Sequence, residues 1–360
     1  MNEMQKSIVL LLVLLPFVYS KYSFSPFEIP KTWAICLVAI LSIGSYFYRQ
    51  KWHQSETGGS KILSGMVWMW SWMIFSSLIN NNFWQSWAGN YYRSDGLMTL
   101  TALMMIGICF KPNIGLWKGI GWGSLLMSFL TIWFGGETSL YMGNPNFLAG
   151  YLAVTLPMTN LIGIFWLVPQ LLAIILLQSW GGALTGLLFV AIVTLRNNRK
   201  VMVTAMFLVC IGFGWLYRVD QIKQNPQGLV VAEGRERIWR KAGIAMMQKP
   251  ITGWGWAQFG RVFKQIDWPV HYSADAHVDR THASLTEYGV AGGIVGLGLY
   301  LYVAFKSVQV LLSAKSSEAK MLGLTLILYF VYSQTNVTSV TLDWIFFVGV
   351  GEAIRTQLRA

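Results

Sequence analysis

Long apolar runs separated by short polar connections dominate the chain, at 7–21, 31–48, 62–80, 96–110, 116–134, 146–166, 201–217, 284–306, 320–334 and 340–353. Most approach the ~20 residues that a helix needs to cross a hydrocarbon layer of about 30 Å, where only a helix or closed barrel satisfies its own backbone. The stretch 168–195 is too long for one such helix and too short for two full ones, and Gln178-Ser179-Trp180-Gly181-Gly182 interrupts it near the middle. The pattern predicts an all-α, polytopic membrane helical bundle without internal repeats.

Composition agrees with that reading. Of 360 residues, 54% are apolar and 12% charged, about half the charged share of a soluble domain, so most of the surface is expected to meet lipid. Cys36, Cys109 and Cys210 all fall inside apolar runs, which argues against a disulfide framework or a thiolate zinc site. Val18-Tyr19-Ser20 imitates a signal-peptide cleavage site, but the many later runs favour an uncleaved first helix.

A net charge of +12 would suggest nucleic acid in a soluble chain. Here the cations must first be sorted by side of the membrane, and no nucleic-acid partner is expected. If 168–195 is a hairpin of two short helices, one side collects Arg49/Lys51/Lys61, Lys111/Lys118, Arg196/Arg199/Lys200, Lys306/Lys315/Lys320 and the Arg355/Arg359 tail. The opposite short loops hold only Lys21, Lys31 and Arg93. The positive-inside rule then predicts about 12 transmembrane helices with both termini cytoplasmic, in a plasma membrane. Residues 1–217 would carry helices 1–9 and residues 284–360 helices 10–12, with the short helices 7 and 8 bordering a polar cavity. Between them, 218–283 is expected to be a large extracytoplasmic loop before span 10. It holds ten Lys/Arg and six Asp/Glu, with His271, His277 and His282.

Four places carry candidate chemistry. Arg93, in Gly89-Asn90-Tyr91-Tyr92-Arg93-Ser94-Asp95-Gly96, is either an interfacial anchor or a cation whose flanking glycines let the backbone approach a ligand. Gly143-Asn144-Pro145-Asn146 is either a plain helix start or a positive helix end with Asn144 and Asn146 aimed at an anion. The run with Arg235, Arg237, Trp239, Arg240 and Lys241 suits a basic helix on anionic lipid, and equally a clamp for a pyrophosphate. His277-Val278-Asp279-Arg280-Thr281-His282 invites a metal, but the histidines are five apart and no third ligand is evident. A histidine held by a carboxylate, Asp279 or Glu287, reads better than a metal ligand, as a general base for a hydroxyl nucleophile, and the plain alternative is a structural histidine at a helix entrance.

In order, SWAGNYYRSDGLMTL (86–100), GNPNFLAGYLAVTLP (143–157), GRERIWRKAGIAMMQKPITGWGWAQF (234–259) and VDRTHASLTEYGVAGGIVGLGLYL (278–301) resemble the motifs of the O-antigen ligase superfamily. That superfamily includes O-antigen ligases, O-antigen polymerases and pilin-type O-oligosaccharyltransferases. The resemblance implies transfer of a glycan from a polyprenyl (undecaprenyl) pyrophosphate in a bacterial inner membrane to a lipid or protein acceptor, or to a growing polymer. It implies no cofactor and no metal. It puts His282 at the family's essential histidine, Arg235 at its loop arginine, and Arg93 and Arg280 at recurrent basic positions, with Arg237, Asn144 and Asn146 as further substrate contacts. Trp180 stands where many members have arginine, and Ala283 where an asparagine commonly follows the histidine. A lipid-linked glycan transporter is the non-enzyme alternative. Against it stand the absence of a repeat and the gathering of polar residues in one loop instead of at the bilayer midplane.

Overall fold

A computed structural model describes residues 3–50, 60–80, 83–135, 140–197, 227–266, 278–337 and 339–359. The expected span at 201–217, with His271 and His277, lies outside the described residues. Those described form helices α1 (Glu3–Leu14), α2 (Glu28–Gln50), α3 (Lys61–Ile79), α4 (Phe83–Ala88), α5 (Leu97–Cys109), α6 (Ile114–Trp133) and α7 (Pro145–Asn160). They continue with α8 (Leu167–Leu176), α9 (Trp180–Asn197), α10 (Gln227–Gln248), α11 (Phe259–Gln265), α12 (Ser284–Ser313), α13 (Ser317–Ser333) and α14 (Val340–Leu358). Among the described residues there is no strand.

Helix starts follow capping chemistry. Ser60, Asn113, Asn144, Ser316 and Ser339 each accept a hydrogen bond from a backbone N–H in the first turn of α3, α6, α7, α13 and α14. Pro145 follows Asn144, where its missing N–H costs nothing. α2 (as Glu28–Tyr48), α3 and α12 are long and apolar enough to cross a membrane, and α5, Ile164–Leu176 and Trp180–Val193 are shorter apolar helices. One continuous core joins α2 to α5, α5 to α14, α14 to α12 and α12 to α3, with α7 packed among α6, α8, α9 and α13.

The stretch 168–195 does double back. The chain leaves the helix after Leu176, Gln178 takes a left-handed φ of 51°, and α9 begins at Trp180. Gly182 lies against Ala149 at the start of α7, while Gly186 lies near Leu156 further along α7 and near Leu171 and Ile174 of α8. α9 therefore runs alongside α7 and back past α8, with its turn beside Thr335 and Asn336.

Lys31 corrects the count of loop cations. It sits within α2 at 0% exposure, its Nζ donating to Tyr141 O at 2.7 Å. Buried ammonium groups need such partners, so Lys31 fastens α2 to the 140–142 turn and does not face water.

α12 is one apolar run in sequence but is broken at Gly293, where φ is 64°. The break frees backbone groups, and other segments take them up. Trp254 N donates to Val290 O at 2.8 Å, Gly255 N to Ala291 O at 2.9 Å, and Ile294 N to Pro250 O at 2.8 Å. From α3, Ser76 Oγ donates to Ala291 O and Trp72 Nε1 to Gly292 O, each at 2.7 Å. Two glycines make the approach possible. A Cβ on Gly293 would lie 2.2 Å from Ile251 O, and one on Gly253 would lie 2.5 Å from Ala291 C and O. The Pro250-x-x-Gly253 turn thus clips into the Gly293 break. The segment carrying α10 and α11 is held there over its own small core of Ile238, Ala242, Ala245, Phe259, Val262 and Phe263, closed by Val278 and by Val290 of α12.

Candidate active site

The starts of α2, α5, α7, α12 and α14 meet at one end of the bundle, and two loops bind each other there. Arg93 Nε donates to Asp279 Oδ2 at 2.6 Å, across 186 positions of sequence. In return Arg280 Nη2 lies 2.6 Å from Asp95 Oδ2. Each loop thus gives the other one cation and one anion. Burial would raise the Asp279 carboxyl, but Arg93, with help from Arg280 and a backbone hydrogen bond, outweighs it, and the carboxyl is held below the ordinary carboxylate range. Burial would likewise lower both guanidinium groups, and their carboxylates outweigh it. Arg93, chiefly through Asp279, and Arg280, chiefly through Asp95, are driven above the ordinary arginine value. Neither arginine titrates in any working range, and removing one partner of such a buried pair costs about 3–5 kcal/mol.

The glycines around Arg93 serve the loop itself. Gly89 has φ 81°, and a Cβ on Gly96 would lie 2.2 Å from Trp87 O. They let the 89–96 turn close on its own backbone, and Gly89 and Asn90 also line a cleft with Arg261 and Lys264.

His282 adopts φ 59°, a left-handed conformation that costs a non-glycine residue about 1–3 kcal/mol and persists only where neighbours impose it. The neighbours are specific. On one side Thr281 N donates to Glu287 Oε2 at 3.0 Å, and Trp239 Nε1 donates to Thr281 O at 3.1 Å. On the other, Ala283 O accepts from Thr281 Oγ1 at 2.9 Å and Thr286 Oγ1 at 3.0 Å as α12 begins. Glu287 also reaches Arg280 Nη1 at 3.5 Å. Asp279 and Glu287 therefore hold the two loops through Arg93, Arg280 and Thr281.

His282, Arg93, Arg280 and Glu287 line one small cavity of about 60 Å³, with Glu28, Asp95, Trp256, Tyr329 and Asp343. This is room for a few waters or hydroxyl groups. Trp256 forms a wall, its Nε1 donating to Asp95 O at 2.9 Å and its ring 5.7 Å from the Arg280 guanidinium. A more open cleft of about 360 Å³ adjoins it and shares Glu28 and Arg93, with Phe27, Tyr92, Asn144 and Asp279 among its walls.

The remaining expected residues are placed differently. Asn144 Oδ1 accepts from Asn146 N at 2.8 Å, and Asn146 O accepts from Tyr332 Oη at 2.6 Å, so this pair starts α7 and ties it to α13. Arg237 is 8% exposed, its guanidinium 5.5 Å from the Phe263 ring in the small core beneath α10. It faces into the loop's own core. The Arg235 side chain lies outside the described residues, and its backbone stands one helical turn before Trp239.

Glu28, Asp95, Trp256 and Asp343 were not legible as site residues. For Glu28, Asp95 and Asp343 the signal was an ionisable group at or inside the end of an apolar run, which calls for a partner or a function.

Residues 164–301 match the family model described as O-antigen ligase, a stretch that begins at α8 and runs through the clipped loop and His282 into α12. No curated protein matches the chain. With its apolar helices and this buried polar end, the chain is a membrane protein, and its residues 164–301 are similar to the O-antigen ligase family, whose members act on lipid-linked glycans.

Proposed function

We propose that the protein transfers a glycan from a polyprenyl pyrophosphate, of the undecaprenyl class, to an acceptor hydroxyl at the His282 end of the bundle, on the side away from the cytoplasm. The observation that carries this reading is the meeting of His282, Arg93, Arg280 and Glu287 from distant segments in one cavity. The acceptor oxygen attacks the anomeric carbon, the bond from that carbon to the pyrophosphate oxygen breaks, and its electron pair leaves with the pyrophosphate. His282 takes the acceptor proton. The leaving group is already activated, so the step needs neither nucleotide nor metal.

Arg93 and Arg280 are engaged by carboxylates, and the cavity holds four carboxyl groups against two guanidinium groups. The pyrophosphate therefore belongs outside it, against the cationic loop. Arg235 belongs to α10 of that loop, and the exposed Arg261 and Lys264 line a cleft of about 520 Å³. Guanidinium groups stabilise the released charge without titrating.

Purified protein in vesicles, given labelled lipid-linked glycan and membrane acceptors, is expected to yield labelled product at a rate that EDTA leaves within about twofold of the control. Product size separates the acceptors: a ligase makes a glycolipid, a polymerase a longer lipid-linked chain, an oligosaccharyltransferase a glycoprotein. Movement of intact donor across the bilayer without bond formation contradicts the proposal in favour of a transporter. Loss of transfer in EDTA, restored by a divalent ion, contradicts its metal-free step.

A further inference from the structure

We infer that the cleft of about 360 Å³ beside His282 seats the acceptor sugar, and that Glu28 and Arg93 bind its hydroxyl groups. This rests on the glycan-transfer reading and assigns a role to Glu28, which the mechanism above does not use.

Two unmade hydrogen bonds carry it. Glu28, in the first turn of α2, is 8% exposed; its carboxyl takes a hydrogen bond from the Ser339 side chain and interacts with Arg93, and its Oε1 is left buried without a hydrogen-bond partner. Arg93 Nη1 is buried without one as well, although Arg93 Nε is bound to Asp279. Native structures rarely leave such groups unsatisfied, because each costs about 1–3 kcal/mol and more when charged. Both residues line the open cleft and the His282 cavity. Lys31, three residues from Glu28, is turned to Tyr141 O and Met142 Sδ.

The two atoms are complementary, one acceptor and one donor, so the group that satisfies both must itself donate and accept. A hydroxyl does this. A fully ionised phosphate only accepts, and it would meet the charges of Glu28 and Asp279 on the cleft wall. The mouth suits a sugar too. Phe27 and Tyr92 line the cleft, and Phe24 lies 5.1 Å from Tyr91 and 5.3 Å from Tyr92, with all three of these rings exposed. Aromatic walls around a few placed polar groups are what a pocket for a partly apolar ring requires. An interfacial aromatic belt would explain the rings, but not the two unsatisfied atoms beneath them.

Glu28→Gln keeps the side chain's shape and removes its charge. With donor saturating, it is expected to raise KM for the acceptor tenfold to a hundredfold, the worth of a hydrogen bond to a charged group. KM for the donor stays unchanged and kcat changes less than about threefold. A rise in donor KM with acceptor KM unmoved, or no change in either, overturns the inference. A second measurement needs no turnover. In a chain whose own cysteines are replaced by alanine, Ser25→Cys puts a thiol on the cleft wall. Neutral oligosaccharides released from cell envelopes by mild acid are expected to slow its modification by a thiol reagent, and Glu28→Gln to abolish that protection. Protection without any transfer keeps the sugar site and discards the transfer reading. Transfer without protection does the reverse.

Discussion

Replacing His282 with alanine is expected to lower glycan transfer by about two to four orders of magnitude, the usual contribution of a general base, while the protein stays folded in the membrane. The carboxylates nearest it in sequence are engaged, Asp279 with Arg93 and Glu287 with Thr281 and Arg280, which fits positioning roles for both. A second variant separates chemistry from folding. Asparagine tolerates positive φ better than most residues, so His282→Asn fits the φ of 59° and leaves the bonds of Thr281 and Ala283 in place. It keeps the melting temperature in detergent and loses transfer as fully as alanine does. Wild-type turnover in either variant would remove His282 from the mechanism.

The largest structural effect is expected from Gly293→Ala. The new Cβ would stand 2.2 Å from Ile251 O, at a position whose φ of 64° already disfavours alanine. Backbone faces backbone here, so no side chain can swing aside. The Pro250–Gly255 turn must withdraw, and with it go the bonds that Trp254 N and Gly255 N give to Val290 O and Ala291 O. A cost of about 3 kcal/mol or more follows from the strained φ and the lost bonds together. α10 is fixed by the same junction and touches the His282 loop through Trp239, so transfer falls along with the melting temperature. Gly253→Ala meets Ala291 in the same way and should behave alike. Gly298→Ala is the control: a Cβ there finds nothing within 4 Å, in the same helix, and helix propensity makes it neutral or slightly stabilising. Equal behaviour of Gly293→Ala and Gly298→Ala would mean that the clip does not hold the loop.

How much of this could be read from the sequence depended on the kind of force involved. Helix positions followed from apolar runs and capping residues, which act locally. The doubling back of 168–195 was legible because Gln178 and Ser179 break a stretch whose length already posed a problem. The break at Gly293 was hidden, since its cost is repaid by Pro250, Trp254, Gly255, Trp72 and Ser76, all distant in sequence. The two motifs Pro250-x-x-Gly253 and Gly293-x-x-Gly296 were visible, but that each provides the space for the other was not. At the site, Arg93 stands out as one of few cations in the short loops of its side, and Arg280 and His282 through the His277–His282 cluster. Their partner Asp95 looked like an ordinary turn residue, and Glu28 like a helix-start carboxylate favoured by the dipole. Lys31 reads as a loop cation in the sequence because nothing local marks it as buried.

Sidedness is the claim on which the transfer reading stands. Tyr92→Cys puts a thiol at the mouth of the cleft, and Lys315→Cys puts one at the opposite end of the bundle, in a cleft with Lys111 and Arg359. Each is placed in a chain without its native cysteines and treated with a membrane-impermeant thiol reagent in intact spheroplasts. The expected result is labelling of position 92 without lysis and of position 315 only after it. Labelling of 315 in intact spheroplasts, with 92 silent until lysis, would put the His282 cavity in the cytoplasm and contradict the account.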